Sequence, residues 1–250
     1  AISAGFGAPL AGLIFAREVI LRHQSLLSFS PILLSSIISY VITIKFYDYE
    51  PNFTIPDISI QNLYNIFFLI LAGILCGILA TIFSNFLSSP KLKPLETLFS
   101  KTYLNPAFAG LICGLVAMYF PEVTGIGTET INQLINNYVT LQNALIFLAL
   151  KLILTTVCVR MGLVGGIFAP ALFLGASLGV VVSKLGSLIT DQIDPILITI
   201  SSMAAIGSCI IGGPIANVLI IFELTSNYQA ALSAGVCIVV ATIVSSQLIG

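Results

Sequence analysis

The chain reads as a succession of apolar runs set off by short polar stretches or by glycine and proline. About nine runs can be bounded, at 8–21, 29–46, 64–88, 106–120, 142–160, 167–186, 195–210, 213–224 and 229–249. A helix needs about 20 apolar residues to cross a bilayer. Several runs fall short of that and are bounded by Gly or Pro: one opens at Ala8 after Phe6-Gly7, one at Pro214 after Gly212-Gly213, and one at Ile167 after Leu163-Val164-Gly165-Gly166. Short, interrupted helices are the mark of segments that end inside the membrane at a binding site. Such backbone is tolerated only when it is buried in protein or lines a water-filled cavity. The pattern predicts an all-α, polytopic membrane protein with broken helices.

Composition agrees. Apolar residues make up 58% of the chain and charged residues 8%, with a mean hydropathy of +1.10. A soluble domain carries about a quarter charged residues on its surface, so this chain must face lipid. Its net charge of −1 supplies no basic field for nucleic acid. Cys76, Cys113, Cys158, Cys209 and Cys237 lie inside apolar runs without a CxxC pair, as small hydrophobes packing between helices. His23 is the only histidine, so no HExxH pattern or histidine cluster exists, and no metal or cofactor is expected. Residues 1–250 read as one transmembrane domain without a soluble part. Residues 1–15 read as the interior of a helix already under way, and the end at Ser245-Ser246-Gln247 has no polar tail, so the chain is expected to be cut at both ends from a longer one.

Charge placement gives a sidedness. Arg17, Arg22 and His23 close the first run, Lys91, Lys93 and Lys101 follow the run 64–88, and Arg160 closes the run 142–160. Asp48, Glu50, Asp57, Glu122, Glu129, Asp191 and Asp194 occupy the other loops. Basic residues concentrate on the cytoplasmic side, so the first group is expected inside and the acidic loops outside, with Lys45 and Glu96 as exceptions.

An internal repeat accompanies this. Gly7-Ala8-Pro9-Leu10-Ala11 aligns with Gly212-Gly213-Pro214-Ile215-Ala216, and the same spacing leads from Pro9 to Glu18 and from Pro214 to Glu223. The first copy ends among basic residues and the second beside Thr225, Ser226 and Asn227, which implies opposite orientations and an inverted-topology repeat.

The stretch 162–170, GLVGGIFAP, carries the candidate chemistry. Gly162, Gly165 and Gly166 allow unusual dihedrals and close approach to a ligand, and Pro170 suits the first turn of a helix running from about Ile167 to Lys184. The first N–H groups of that helix, from Gly166 to Phe168, would point into the glycine loop. Unpaired donors at the positive end of a helix make an anion site without a formal charge, suited to an ion that must also leave. The residues alone equally allow a glycine hinge that lets two helices pack closely.

GGIFAP following a membrane helix resembles the GxFxP motif of the CLC family of chloride channels and chloride/proton antiporters. GAPLAGLIFAREV and GGPIANVLIIFELTSNYQ resemble two further family segments, in the right order, so the likeness runs over essentially the whole chain. The resemblance implies a domain of tilted and broken helices in the CLC-type inverted repeat, in a homodimer with a separate pore in each subunit and interface helices partly within 8–46 and 213–249. It implies chloride bound by the backbone N–H groups of Ile167 and Phe168, with the Phe168 ring beside the ion path, and a place in a bacterial inner membrane. The family's chloride-binding serine loop and gating-glutamate loop would precede Ala1, and its coordinating tyrosine would follow Gly250; Tyr228 belongs to the ELTSNY stretch instead. Antiporters of the family often carry a proton-relay glutamate where this chain has Val19. That favours passive conduction, with Glu18 as the nearest group for a proton route.

Charges inside a membrane cost about 2.5–3.5 kcal/mol each on insertion scales and need a reason. Glu18 and Glu223, at the ends of short helices, are expected to accept backbone or hydroxyl hydrogen bonds. Lys151, in mid-run, is expected either to pack against protein or to face a water-filled vestibule. A secondary transporter of organic substrates would need polar side chains converging at the midplane, and an intramembrane hydrolase a Ser/His or Asp/Asp pair; the sequence favours neither, and no enzyme is expected.

Overall fold

The computed structural model describes residues 2–22, 27–46, 63–88, 104–190 and 192–249. Among these residues the chain is helical, with no strand. The helices are α1 (Ile2–Phe6), α2 (Pro9–Phe15, continued by a π-helical turn at Ala16–Leu21), α3 (Phe29–Phe46), α4 (Leu63–Ser88) and α5 (Leu104–Ala117). They continue as α6 (Thr128–Ile135), α7 (Leu141–Arg160), α8 (Phe168–Ser187), α9 (Pro195–Ile211), α10 (Pro214–Thr225) and α11 (Tyr228–Ile249). By length and composition α3, α4, α7, α8 and α11 can cross a membrane, whereas α5, α9 and α10 are shorter. His23, Lys91, Lys93, Lys101, Asp48, Glu50, Asp57, Glu96 and Asp191 lie outside the described residues.

Each apolar run becomes a helix, with corrections at its edges. Residues 1–15 do not form one helix: Gly7, at φ +65°, and Pro9 break the run between α1 and α2. The run 106–120 stops being α-helical at Ala117 and passes into a 3-10 turn at Pro121–Val123. Helix α6 falls outside the apolar runs because its sequence, TETINQLI, is largely polar; Ile131, Leu134 and Ile135 form its buried face at helical spacing.

Helix α9 is the centre of the bundle. Every residue from Leu197 to Ser208 is buried, the small hydroxyl residues Thr199, Ser201, Ser202 and Ser208 included. Asp194 caps its start by accepting from the N–H groups of Ile196 and Leu197, at 3.0 and 3.2 Å. Its partner α8 approaches through Gly175 and Gly179. A Cβ at Gly175 would lie 2.5 Å from Met203 Cα, and one at Gly179 2.5 Å from Thr199 Cα. Gly73 and Gly77 of α4 make the same kind of contact with α11, where a Cβ at Gly77 would lie 2.6 Å from the Ala241 carbonyl oxygen. Both pairs are GxxxG stripes, which bring helix backbones together where lipid removes the hydrophobic drive for association.

Two contacts join helix ends across the bundle. Arg160, at the end of α7, donates through Nε to the Phe86 carbonyl near the end of α4, 3.0 Å away. The end of α4 thus lies beside the end of α7. At the start of α4, Asn65 Oδ1 accepts from the Asp194 N–H at 3.0 Å, joining it to the acidic start of α9.

Replacing Gly175 by Ala would drive a methyl group into the backbone of α9. A loss of about 1–3 kcal/mol is expected in unfolding measurements on the reconstituted protein. Gly110→Ala, where a Cβ meets no atom of this chain within 4 Å, should leave stability unchanged.

Candidate functional site

The loop 162–166 starts as a helix C-cap. Gly162, at φ +84°, takes the left-handed position after α7. The Gly162 N–H donates to the Val159 carbonyl at 3.2 Å, and the Leu163 N–H to the Cys158 carbonyl at 2.9 Å. These two bonds make a Schellman motif. Gly165 and Gly166 differ from the expectation: neither has a positive φ. What their missing side chains leave is open space, since a Cβ at either meets nothing of this chain within 4 Å. Val164, Gly165 and Gly166 are exposed.

Helix α8 begins at Phe168 with Ile167 as its N-cap, at φ −91° and ψ −7°, and Pro170 lies in its first turn. The first bond across this start runs from the Ala171 N–H to the Ile167 carbonyl, 3.0 Å. The N–H groups before it have no carbonyl one turn back to bond, and the N-cap residue Ile167 offers no side-chain bond. The starts of α2, α9 and α10 differ, because a carboxylate meets each of them.

For α9 that carboxylate is its own Asp194. For α2 and α10 it comes from the other helix. Glu18 Oε1 and Oε2 accept from the N–H groups of Ile215 and Ala216, at 3.2 and 2.8 Å. Glu223 Oε1 and Oε2 accept from those of Leu10 and Ala11, at 2.9 and 2.8 Å. In each copy the bonded amides are the two after proline, the first in the helix with an N–H to give. Each glutamate stands at the far end of its own helix, so α2 and α10 run antiparallel. The inverted repeat is thus a direct contact between its two halves. Their backbones are close: a Cβ at Gly213 would come 2.8 Å from Val19 Cγ2.

The Phe168 ring rests against this pair. Ala8, Ala11 and Ile220 form a buried cluster on which Phe168 packs. Phe6 meets it edge-on at 5.4 Å between centroids, and Phe15 at 6.2 Å. From the other side α9 brings Gly207, where a Cβ would lie 3.5 Å from Phe168 Cε2 and 3.0 Å from the buried Asn217 Oδ1. Phe6 and Phe15 were not legible as neighbours of Phe168, because they lie far from it in the chain. The paired Pro-to-Glu spacing was the one sequence signal for the crossed carboxylates.

The sequence profile of the voltage gated chloride channel family matches residues 1–246. The chain belongs to that family. It is 28% identical over 257 residues to the H(+)/Cl(-) exchange transporter ClcA of Vibrio campbellii, spanning all of this chain and 54% of that protein. It is 27% identical over 261 residues to chloride channel protein CLC-f of Arabidopsis thaliana, spanning 92% of this chain and 32% of that protein. The chain therefore spans about half the length of the bacterial relative and a third of the plant one. Among solved structures, a slow cyanobacterial Cl-/H+ antiporter superposes with a TM-score of 0.86 at 22% identity, covering 99% of this chain and 59% of that one. A CLC-type fluoride/proton antiporter superposes at 0.80 and 20%, covering 97% and 60%. Family membership and the apolar helices make this an integral membrane protein of the CLC fold.

Two charged positions of this family member find their partners in the polypeptide. Glu18, expected from the sequence as the nearest group for a proton route, has both carboxylate oxygens engaged by amides, and Val19 beside it abuts Gly213. Lys151 does not face a vestibule: it is 2% exposed. Its Nζ donates to the carbonyls of Val123 and Gly125, at 2.8 Å each, and stands 4.8 Å from the Phe173 ring centroid. The ammonium thereby anchors the loop between α5 and α6 to the middle of α7. Cys113 of α5 and Cys158 of α7 are free thiols with sulfurs 3.1 Å apart.

Lys151→Met keeps the apolar stem but strips the buried Val123 carbonyl and the Gly125 carbonyl of their donor. A loss of about 1–3 kcal/mol is expected in denaturant unfolding of the reconstituted protein; unchanged stability would remove the anchoring role.

Proposed function

We propose that this chain is the core of a chloride transporter or channel, with the start of α8 as one wall of its anion site. The observation that carries the reading is the contrast among helix starts. Carboxylates occupy the starts of α2, α9 and α10, while α8 opens from an exposed glycine loop with no side-chain bond to its first amides among the described residues. A helix start in low dielectric without an internal acceptor favours an anion. The backbone N–H groups of Gly166, Ile167 and Phe168 would donate to it, with Gly162, Gly165 and Pro170 shaping the loop. Amide donors without a lysine or arginine hold a chloride ion weakly enough to release it. The likeness to a chloride/proton exchanger and a chloride channel supports chloride as the ion.

The complete protein would be a homodimer in a bacterial inner membrane, with residues 1–250 forming one transmembrane unit. Helix α3 supports the pairing: only 6% of it is buried, and Leu34, Ile38, Val41 and Ile42 face outward. Passive conduction is favoured over proton coupling by Val19 and by the full engagement of Glu18.

Full-length protein in liposomes should pass chloride, and chloride should bind by calorimetry. Gly166→Pro, which removes one donor and reshapes the loop, should weaken binding by about tenfold or more; normal binding would overturn the site. Uphill proton movement driven by a chloride gradient would overturn passive conduction.

A further inference from the structure

The crossed carboxylates have a consequence for the loop they never touch. Glu18 and Glu223 each use both oxygens, on amides in the same register after Pro9 and Pro214. The local cap positions, Ala8 and Gly213, have no side-chain acceptor of their own. Each helix therefore depends on the other for its N-terminal bonds, and neither half of the pair is complete alone. Ser36 ties the same unit to α3, its Oγ donating to the Pro9 carbonyl at 2.7 Å.

The surface this pair presents, Ala8, Ala11 and Ile220, is the one on which Phe168 packs. Small residues there let the ring sit against the helix backbones, and Phe6 and Phe15 close around it from the first repeat. Phe168 is also the first residue of α8. A slide of α2 along α10 would move the seat of that ring, and with it the amides that open α8.

We propose that Glu18 and Glu223 form a reciprocal pair of positioning residues, each bonding the start of the opposite repeat helix, and that this lock sets where the Phe168 ring and the first amides of α8 stand. Neither carboxylate touches the anion. Both act through the Ala8–Ala11–Ile220 seat. The anion readout rests on the transport reading above, while the position of the ring is read separately.

The test uses the full-length protein in lipid with fluorophenylalanine at position 168. Fluorine resonance, thermal unfolding and chloride affinity are compared for wild type, Glu18→Gln, Glu223→Gln and the double variant. Each single change replaces an accepting oxygen by an NH2 group that cannot accept. It should shift the Phe168 resonance and weaken chloride binding by about tenfold. The double variant should lose little more than the worse single one, because either change opens the same lock. Losses that simply add, or an unmoved resonance in both single variants, would overturn the proposal. Should a Gln variant fail to fold, Glu18→Asp keeps the charge with a shorter reach and should give a smaller shift of the same sign; a wild-type resonance in that protein would also overturn it. If the resonance shifts and the losses are non-additive while wild type binds no chloride, the transport reading fails and the lock stands.

Discussion

A helix start leaves amide donors with no preceding turn to accept from them, and where it lies inside a membrane no water either; the arrangement of this chain follows from how such starts are answered. Asp194 answers α9 from the adjoining residue. Glu223 answers α2, and Glu18 answers α10, each from across the repeat. Among the described residues no side chain bonds the start of α8. Three of these starts are met by carboxylates that join the scaffold, and the start of α8 is the one proposed for the anion.

The same logic explains why charged residues occur in so apolar a chain. Glu18, Glu223, Lys151 and Arg160 all bond backbone groups. In low dielectric a formal charge on a helix end or on buried carbonyls is stronger than a neutral hydrogen bond. Such a charge can hold irregular backbone, such as the loop from Val123 to Gly125 or the break at Gly7–Ala8, at depths where it would otherwise be excluded. Glycine does complementary work in the regular parts, where Gly73, Gly77, Gly175 and Gly179 bring helices into backbone contact.

The sequence by itself determined the class of the molecule, because apolar runs of membrane length and sparse charge leave few alternatives. It also determined where the helices break: glycine and proline at 7–9, 162–170 and 212–214 restrict the backbone locally, whatever surrounds them. The equal Pro-to-Glu spacing showed that two helices are related, and the GGIFAP stretch showed where an unbonded helix start would lie. What it could not supply was which groups meet. An acceptor some two hundred residues away leaves no mark on the local pattern of either partner, so the exchange of Glu18 and Glu223 between the repeats belongs to the tertiary structure alone. So does the fate of Lys151, since mid-run placement fits a vestibule as well as a buried loop until Val123 and Gly125 are seen beneath it. The seat of Phe168 was decided in the same way, by small residues and rings from three distant segments, because packing is a property of surfaces brought together and not of the segments that carry them.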